Sequence, residues 1–130
     1  MQISILRLAS IKALVAAGLI IGSLVIGTSP AWAIGAIAVD DEEGQTAKDV
    51  GYGIGHGDTK EAAFAEAKSE CKKAGNTDCK GVVWYTKCGA YAASSKNSGI
   101  GTGATEDIAK KKAVSDCGVS ACKVAVSACE

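Results

Sequence analysis

The sequence predicts an α+β domain: two pseudo-symmetric β-β-α-β repeats forming one mainly antiparallel sheet, with two helices packed on it and disulfides stabilising the whole. Three observations lead there. The stretch GYGIGHGDTKEAAFAEAKSEC, from Gly51, is echoed by SGIGTGATEDIAKKKAVSDC, from Ser98, at a constant offset of 46. Six cysteines follow the same plan, with Cys71 and Cys79 matching Cys117 and Cys122. Each copy also changes from strand-like alternation to helical spacing and back, which is how one supersecondary unit repeats.

Residues 1–33 stand apart from the fold. Arg7 and Lys12 are the only charges before Asp40, an apolar run spans Ala13 to Ile26, and Ala31-Trp32-Ala33 supplies small residues for cleavage. This is the pattern of a secretory signal peptide. The run is shorter than the ~20 residues of a spanning helix, and no cysteine near the cleavage site offers an acylation point. The chain that follows, 34–130, is expected to be a single domain of two repeats, about 35–88 and 89–130. It carries 12 basic and 14 acidic residues. That balance gives no basic excess for nucleic acid or an anionic membrane surface, and no stable membrane insertion is expected after signal cleavage.

The first copy opens with a strand, Gly35-Ala36-Ile37-Ala38-Val39, whose counterpart is Gly89-Ala90-Tyr91-Ala92-Ala93 at offset 54. The offset then shortens because the loop from Asp40 to Asp49 is longer than its counterpart, and loops tolerate such changes. In the next strand, glycine alternates through Gly51, Gly53, Gly55 and Gly57, and again through Gly99, Gly101 and Gly103. One strand face is left bare, so a helix can approach the backbone. Helices follow. Thr59 and Thr105 are candidate caps, Asp58 competes with Thr59, and Glu61, Glu106 and Asp107 in the first turns suit the helix dipole. Ala63, Ala67 and Cys71, like Ala109, Ala113 and Cys117, fall at helical spacing and form a small-residue stripe. Phe64, Ile108 and Val114 are larger fillers. Closing strands run over Lys80–Tyr85 and Lys123–Ser127.

Six cysteines in an exported chain read as a disulfide framework. Equivalent positions should pair equivalently, giving Cys71–Cys79 and Cys117–Cys122. Cys88 and Cys129 remain and are expected to join the two copies. Zinc is a poor competitor, because no C-x-x-C pair exists and His56 is the only histidine.

The GAIAV opening, the glycine-alternating strand, the alanine-rich helix ending in cysteine, the Cys-Lys-x-Val strand and the repetition of that plan resemble domain-of-unknown-function family 4189. The resemblance covers nearly the whole chain after the signal. It implies a small exported bacterial protein and brings no catalytic residues to carry over. Ser127 stands where the first copy has Trp84, so the aromatic position is not kept in both copies.

Chemistry-bearing motifs are few. The run around Gly53 lacks the spacing of a dinucleotide loop and no Walker lysine follows. His56 is matched by Thr102, and no G-x-S-x-G places a nucleophile for it. Asp40-Asp41-Glu42-Glu43 lacks the spaced ligands of a calcium loop and reads as a solvated turn. Lys110-Lys111-Lys112 winds around a helix, with one stem packed and the others in water. No catalytic, metal or cofactor residues are assigned. Trp84 and Tyr85, adjacent on a strand, should point to opposite faces. With Tyr52 and Tyr91 they are the candidates for contact with a partner. The expected function is an exported, non-enzymatic protein-binding module of the bacterial envelope or extracellular space, an inhibitor, immunity protein or secreted factor with an unidentified protein partner. A small exported hydrolase or ligand-binding protein is the alternative.

Overall fold

The computed structural model describes residues 33–130, so the signal peptide expected over 1–33 lies outside the described residues except for its last position. Eight elements follow in order: β1 (Ile34–Asp40), β2 (Gly51–Gly57), α1 (Lys60–Lys73), β3 (Lys80–Tyr85), β4 (Cys88–Ala93), β5 (Ser98–Gly103), α2 (Glu106–Cys117) and β6 (Lys123–Cys129). The expected single sheet is corrected. The strands form two three-stranded sheets, β2-β1-β3 and β5-β4-β6, with every pairing antiparallel.

The reason lies in strands that are apolar on both faces. Ala36 and Ala38 of β1 pack on Ala63, Ala67 and Cys71 of α1. Ile37 and Val39, pointing the other way, join Val83 and Tyr85 of β3 with Tyr91 and Ala93 of β4 and Val126 of β6. Ala90 and Ala92 of β4 turn their backs on that cluster and meet Ala109, Ala113 and Cys117 of α2. One six-stranded sheet with helices on one side would leave the Ile37–Tyr91 face in water. Stacking the sheets buries it, at roughly 1.5–3 kcal/mol for each large side chain covered. The result is four layers: α1, first sheet, second sheet, α2.

Both halves run strand, strand, helix, strand, with the first strand central. Both shift register at the corresponding place, between Ile37 and Ala38 and between Tyr91 and Ala92. Thr59 caps α1 by accepting from the Ala62 N–H at 3.1 Å, and Thr105 caps α2 by accepting from the Ile108 N–H at 3.3 Å. Asp58 does not take that role. α2 stops at Gly118, which adopts a left-handed φ of 81° and supplies a conformation that costs other residues strain.

The glycine strands lie hard against the helices. A Cβ built on Gly53 would overlap the Cys71 nitrogen and Ala67 carbonyl oxygen, and one on Gly55 would overlap the Ala67 nitrogen and Ala63 carbonyl oxygen. Gly99 and Gly101 meet α2 in the same way. No side chain separates strand from helix at these points.

Three disulfides are present: Cys71–Cys79, Cys117–Cys122 and Cys88–Cys129. The first two tie each helix end to the start of the next strand. The third does not join the two halves as expected. Cys88 opens β4 rather than trailing β3, and it lies directly opposite Cys129 in the β4–β6 register. This bridge therefore staples the second sheet. Counting back along the matched elements, the first half has Ile34 and Thr86 at the equivalent places.

The loop over residues 41–50 closes one end. Asp40 accepts from the N–H groups of Thr77 and Asp78, at 2.9 and 3.1 Å. The Tyr91 hydroxyl donates to Asp41, and the Gly44 N–H donates to Ser95. The acidic run is thus divided: Asp40 and Asp41 tie segments together, whereas Glu42 and Glu43 are exposed.

Candidate partner-binding groove

The four candidate aromatics separate into two kinds. Tyr85 and Tyr91 are buried in the core between the sheets, while Tyr52 and Trp84 are 45% and 42% exposed. The exposed pair does not converge. Tyr52 is opposite Val39 and shares its side of the first sheet, whereas Trp84 is opposite Ala36 and shares the α1 side. Trp84 sits in a concavity.

That concavity is an open groove of about 770 Å³ between the outer edges of β3 and β5. Phe64 and Lys60 of α1, Trp84 of β3, Ile100 and Thr102 of β5 and Lys112 of α2 shape it. The Lys60 ammonium lies 5.4 Å from the Trp84 ring centroid and 6.0 Å from that of Phe64. At such distances a cation is drawn to the ring face, by about 0.5–1 kcal/mol at exposed sites. The groove thus offers two aromatic rings, the 42% exposed Ile100 and a positive rim.

Of these groups, sequence reasoning singled out Trp84 but not its surroundings. By sequence alone Phe64 is a filler and Lys112 one of three lysines winding around a helix. One signal pointed to Lys60. It occupies the first helical position, where a positive charge opposes the helix dipole, so helix stability does not account for it.

The buried tyrosines differ in their hydroxyls. The Tyr91 hydroxyl reaches Asp41, and burial together with that hydrogen bond pushes its pKa up to about 12. The Tyr85 hydroxyl is buried without a partner among the described residues. Burial, reinforced by the negative charge of Glu130, pushes its pKa up to about 12 as well.

His56 is exposed on β2. Its Nδ1 lies 2.7 Å from Glu130 Oε1, and its backbone N–H donates to Glu66. An acid therefore orients the ring, one part of what a histidine-dependent hydrolase needs. No serine, threonine or cysteine side chain hydrogen-bonds the ring among the described residues, and all six cysteines are bridged.

A family model described as "Domain of unknown function (DUF4189)" matches residues 34–129. No curated protein and no solved structure matches the chain. The match spans both sheets, both helices and the strand that carries Trp84, and the chain belongs to the DUF4189 family.

Proposed function

We propose that this protein is an exported, non-enzymatic module that binds another protein through the Trp84 groove, and that its two halves are copies of one unit. The observation that carries the reading is Trp84 itself. A large aromatic is held half-exposed in a groove, on a strand fixed by a sheet and a nearby bridge. Tryptophan is among the residues enriched at interface hot spots, and a rigid frame lowers the ordering cost of association. Export is supported by the amino-terminal pattern and by three disulfides, which persist in oxidising compartments. No helix among the described residues is long and apolar enough to cross a membrane.

The test begins with protein exported by its producer. Its amino-terminal sequence should start at or near Ile34. Immobilised protein is then used to capture partners from the periplasm and medium. Trp84→Ala should weaken capture about thirtyfold, the equivalent of ~2 kcal/mol, while His56→Ala leaves it unchanged. Turnover of peptide, ester, glycan or phosphodiester substrates that is lost with His56→Ala and kept with Trp84→Ala would replace this reading with the small exported hydrolase.

A further inference from the structure

The two sheets expose four outer strands: β2, β3, β5 and β6. An outer strand presents unpaired N–H and C=O groups, which invite another strand unless they are covered. Two of the four are covered by their own helices. On β2 the His56 N–H donates to Glu66 of α1, and on β5 the Ile100 N–H donates to Asp116 of α2 at 2.9 Å. On β6, Cys129 is tied back to β4 and no aromatic is present. On β3 no carboxylate from the described residues takes an outward amide.

The register shows which β3 groups face out. The His56 N–H points away from β1, so His56 and Gly35 form a non-hydrogen-bonded pair. Pairs alternate along an antiparallel ladder, so the adjacent residue, Ala36, turns its backbone groups toward β2. Trp84 lies opposite Ala36 on the other side. Its N–H and C=O therefore point out of the sheet, along the groove. The residue that offers the aromatic anchor also offers a free donor and acceptor.

Charge narrows the occupant. Lys60, Lys87 and Lys112 line the groove, and no aspartate or glutamate does. We infer that the outer edge of β3 takes an acidic, extended segment of a partner protein as an added strand. The inference rests on the protein-binding reading and specifies its partner. Main-chain hydrogen bonds to Trp84 would give affinity and side-chain pockets would give selectivity, as in other strand additions. Because neighbouring strand residues face opposite ways, one side of the segment meets Trp84, Phe64 and Lys60 on the α1 side, and the other meets Ile100 and Lys112 from the second half. Each side should therefore combine an apolar residue with a carboxylate.

The probe is a display library of short random peptides, selected on the oxidised protein. Enriched peptides should be acidic and should carry apolar residues at both odd and even positions. One such synthetic peptide should slow hydrogen exchange at the Trp84 amide and bind more weakly as salt rises. Trp84→Ala should weaken it about thirtyfold. Lys60→Glu combined with Lys112→Glu should weaken it at least about tenfold and flatten its salt dependence. N-methylation of alternate peptide amides in the correct phase should abolish binding. All variants must first show three bridges and an unchanged amide spectrum; a variant that fails is replaced by Trp84→Leu or by Lys60→Gln with Lys112→Gln. Enrichment of basic or neutral peptides, enrichment of none, or binding of an anionic polysaccharide in place of acidic peptide overturns the inference. If those results come while Trp84→Ala still releases the captured protein partner, only the acidic-strand inference falls. If Trp84→Ala leaves capture unchanged, the protein-binding reading falls with it.

Discussion

Gly53→Ala adds a single methyl group, yet it should be among the most damaging small changes in this protein. The new Cβ would overlap the Cys71 nitrogen and Ala67 carbonyl oxygen of α1. Both are backbone atoms, so no rotamer change relieves the overlap and the helix itself must lift. Lifting it loosens Ala63, Ala67 and Cys71 from Ala36 and Ala38. Overpacking in well-packed cores costs typically ~1–3 kcal/mol, and a backbone collision belongs at the upper end. Against this, alanine loses less chain entropy than glycine on folding, which returns roughly 0.5–1 kcal/mol. The net cost is about 2 kcal/mol, or a fall in Tm of roughly 10 °C for a domain of this size. Gly99→Ala should behave alike, because its Cβ meets the Cys117 nitrogen and Ala113 carbonyl oxygen. Gly81→Ala is the control. The atoms nearest its Cβ would be those of the Phe64 ring, a side chain that can turn aside, and its cost should stay below about 1 kcal/mol. Combining Gly53→Ala with Gly55→Ala should cost less than the sum, since one displacement of α1 accommodates both. Denaturant unfolding of each variant gives the values. Equal midpoints for the Gly53, Gly81 and parent proteins would refute the close-approach argument.

The bridges should rank by the loops they close, which hold 41, 8 and 5 residues of separation. Replacing each pair by alanine should cost about 4 kcal/mol for Cys88–Cys129 and about 2–2.5 kcal/mol for either local bridge; a smaller loss for the long bridge in denaturant melts would contradict the ranking. The two core hydroxyls should part company: Tyr91→Phe should lose about 1–2 kcal/mol with its bond to Asp41, while Tyr85→Phe, which removes an unpartnered hydroxyl, should be neutral or stabilising. Alkali should unfold the protein through these same rings. Their folded pKa values are pushed up to about 12 from 10.0, so their contribution is complete below pH 10 and is lost as pH rises toward 12. Phenolate absorbance that grows in near pH 10 for both rings, without loss of structure, would contradict this.

Local structure was legible because small residues write it plainly. Alternating glycines bare one strand face for close approach, and the alanine stripes at helical spacing supply the approaching helices. Thr59 and Thr105 fixed where the helices start. The assembly was less legible. Gly35-Ala36-Ile37-Ala38-Val39 contains the clue, since both its alternating sets are apolar and a strand of that kind needs cover on two sides. Read only as a match to residues 89–93, it did not reveal a second sheet. Cys88 falls one residue ahead of the Gly89 match to Gly35, so a boundary at 88/89 assigns it to the end of the first half, whereas β4 begins at Cys88 itself. The groove escaped because its members, Lys60, Trp84, Ile100 and Lys112, come from four elements and meet only when the sheets stack.

The placement of Cys88–Cys129 has a consequence for survival among proteases. Residues 89–128 lie inside one covalent ring, so a single cut anywhere within them opens a loop without releasing a fragment. The first half has no equivalent ring. A cut in the 41–50 connection would leave β1, the central strand of its sheet, attached only by hydrogen bonds and packing. That connection is guarded by other means: Ala47 and Val50 are buried, the Thr46 hydroxyl is tied to Asp49 at 2.6 Å, and the Gly44 N–H is bonded to Ser95. Its exposed Glu42 and Glu43 are where limited digestion should begin, and the first piece to leave should be the amino-terminal strand.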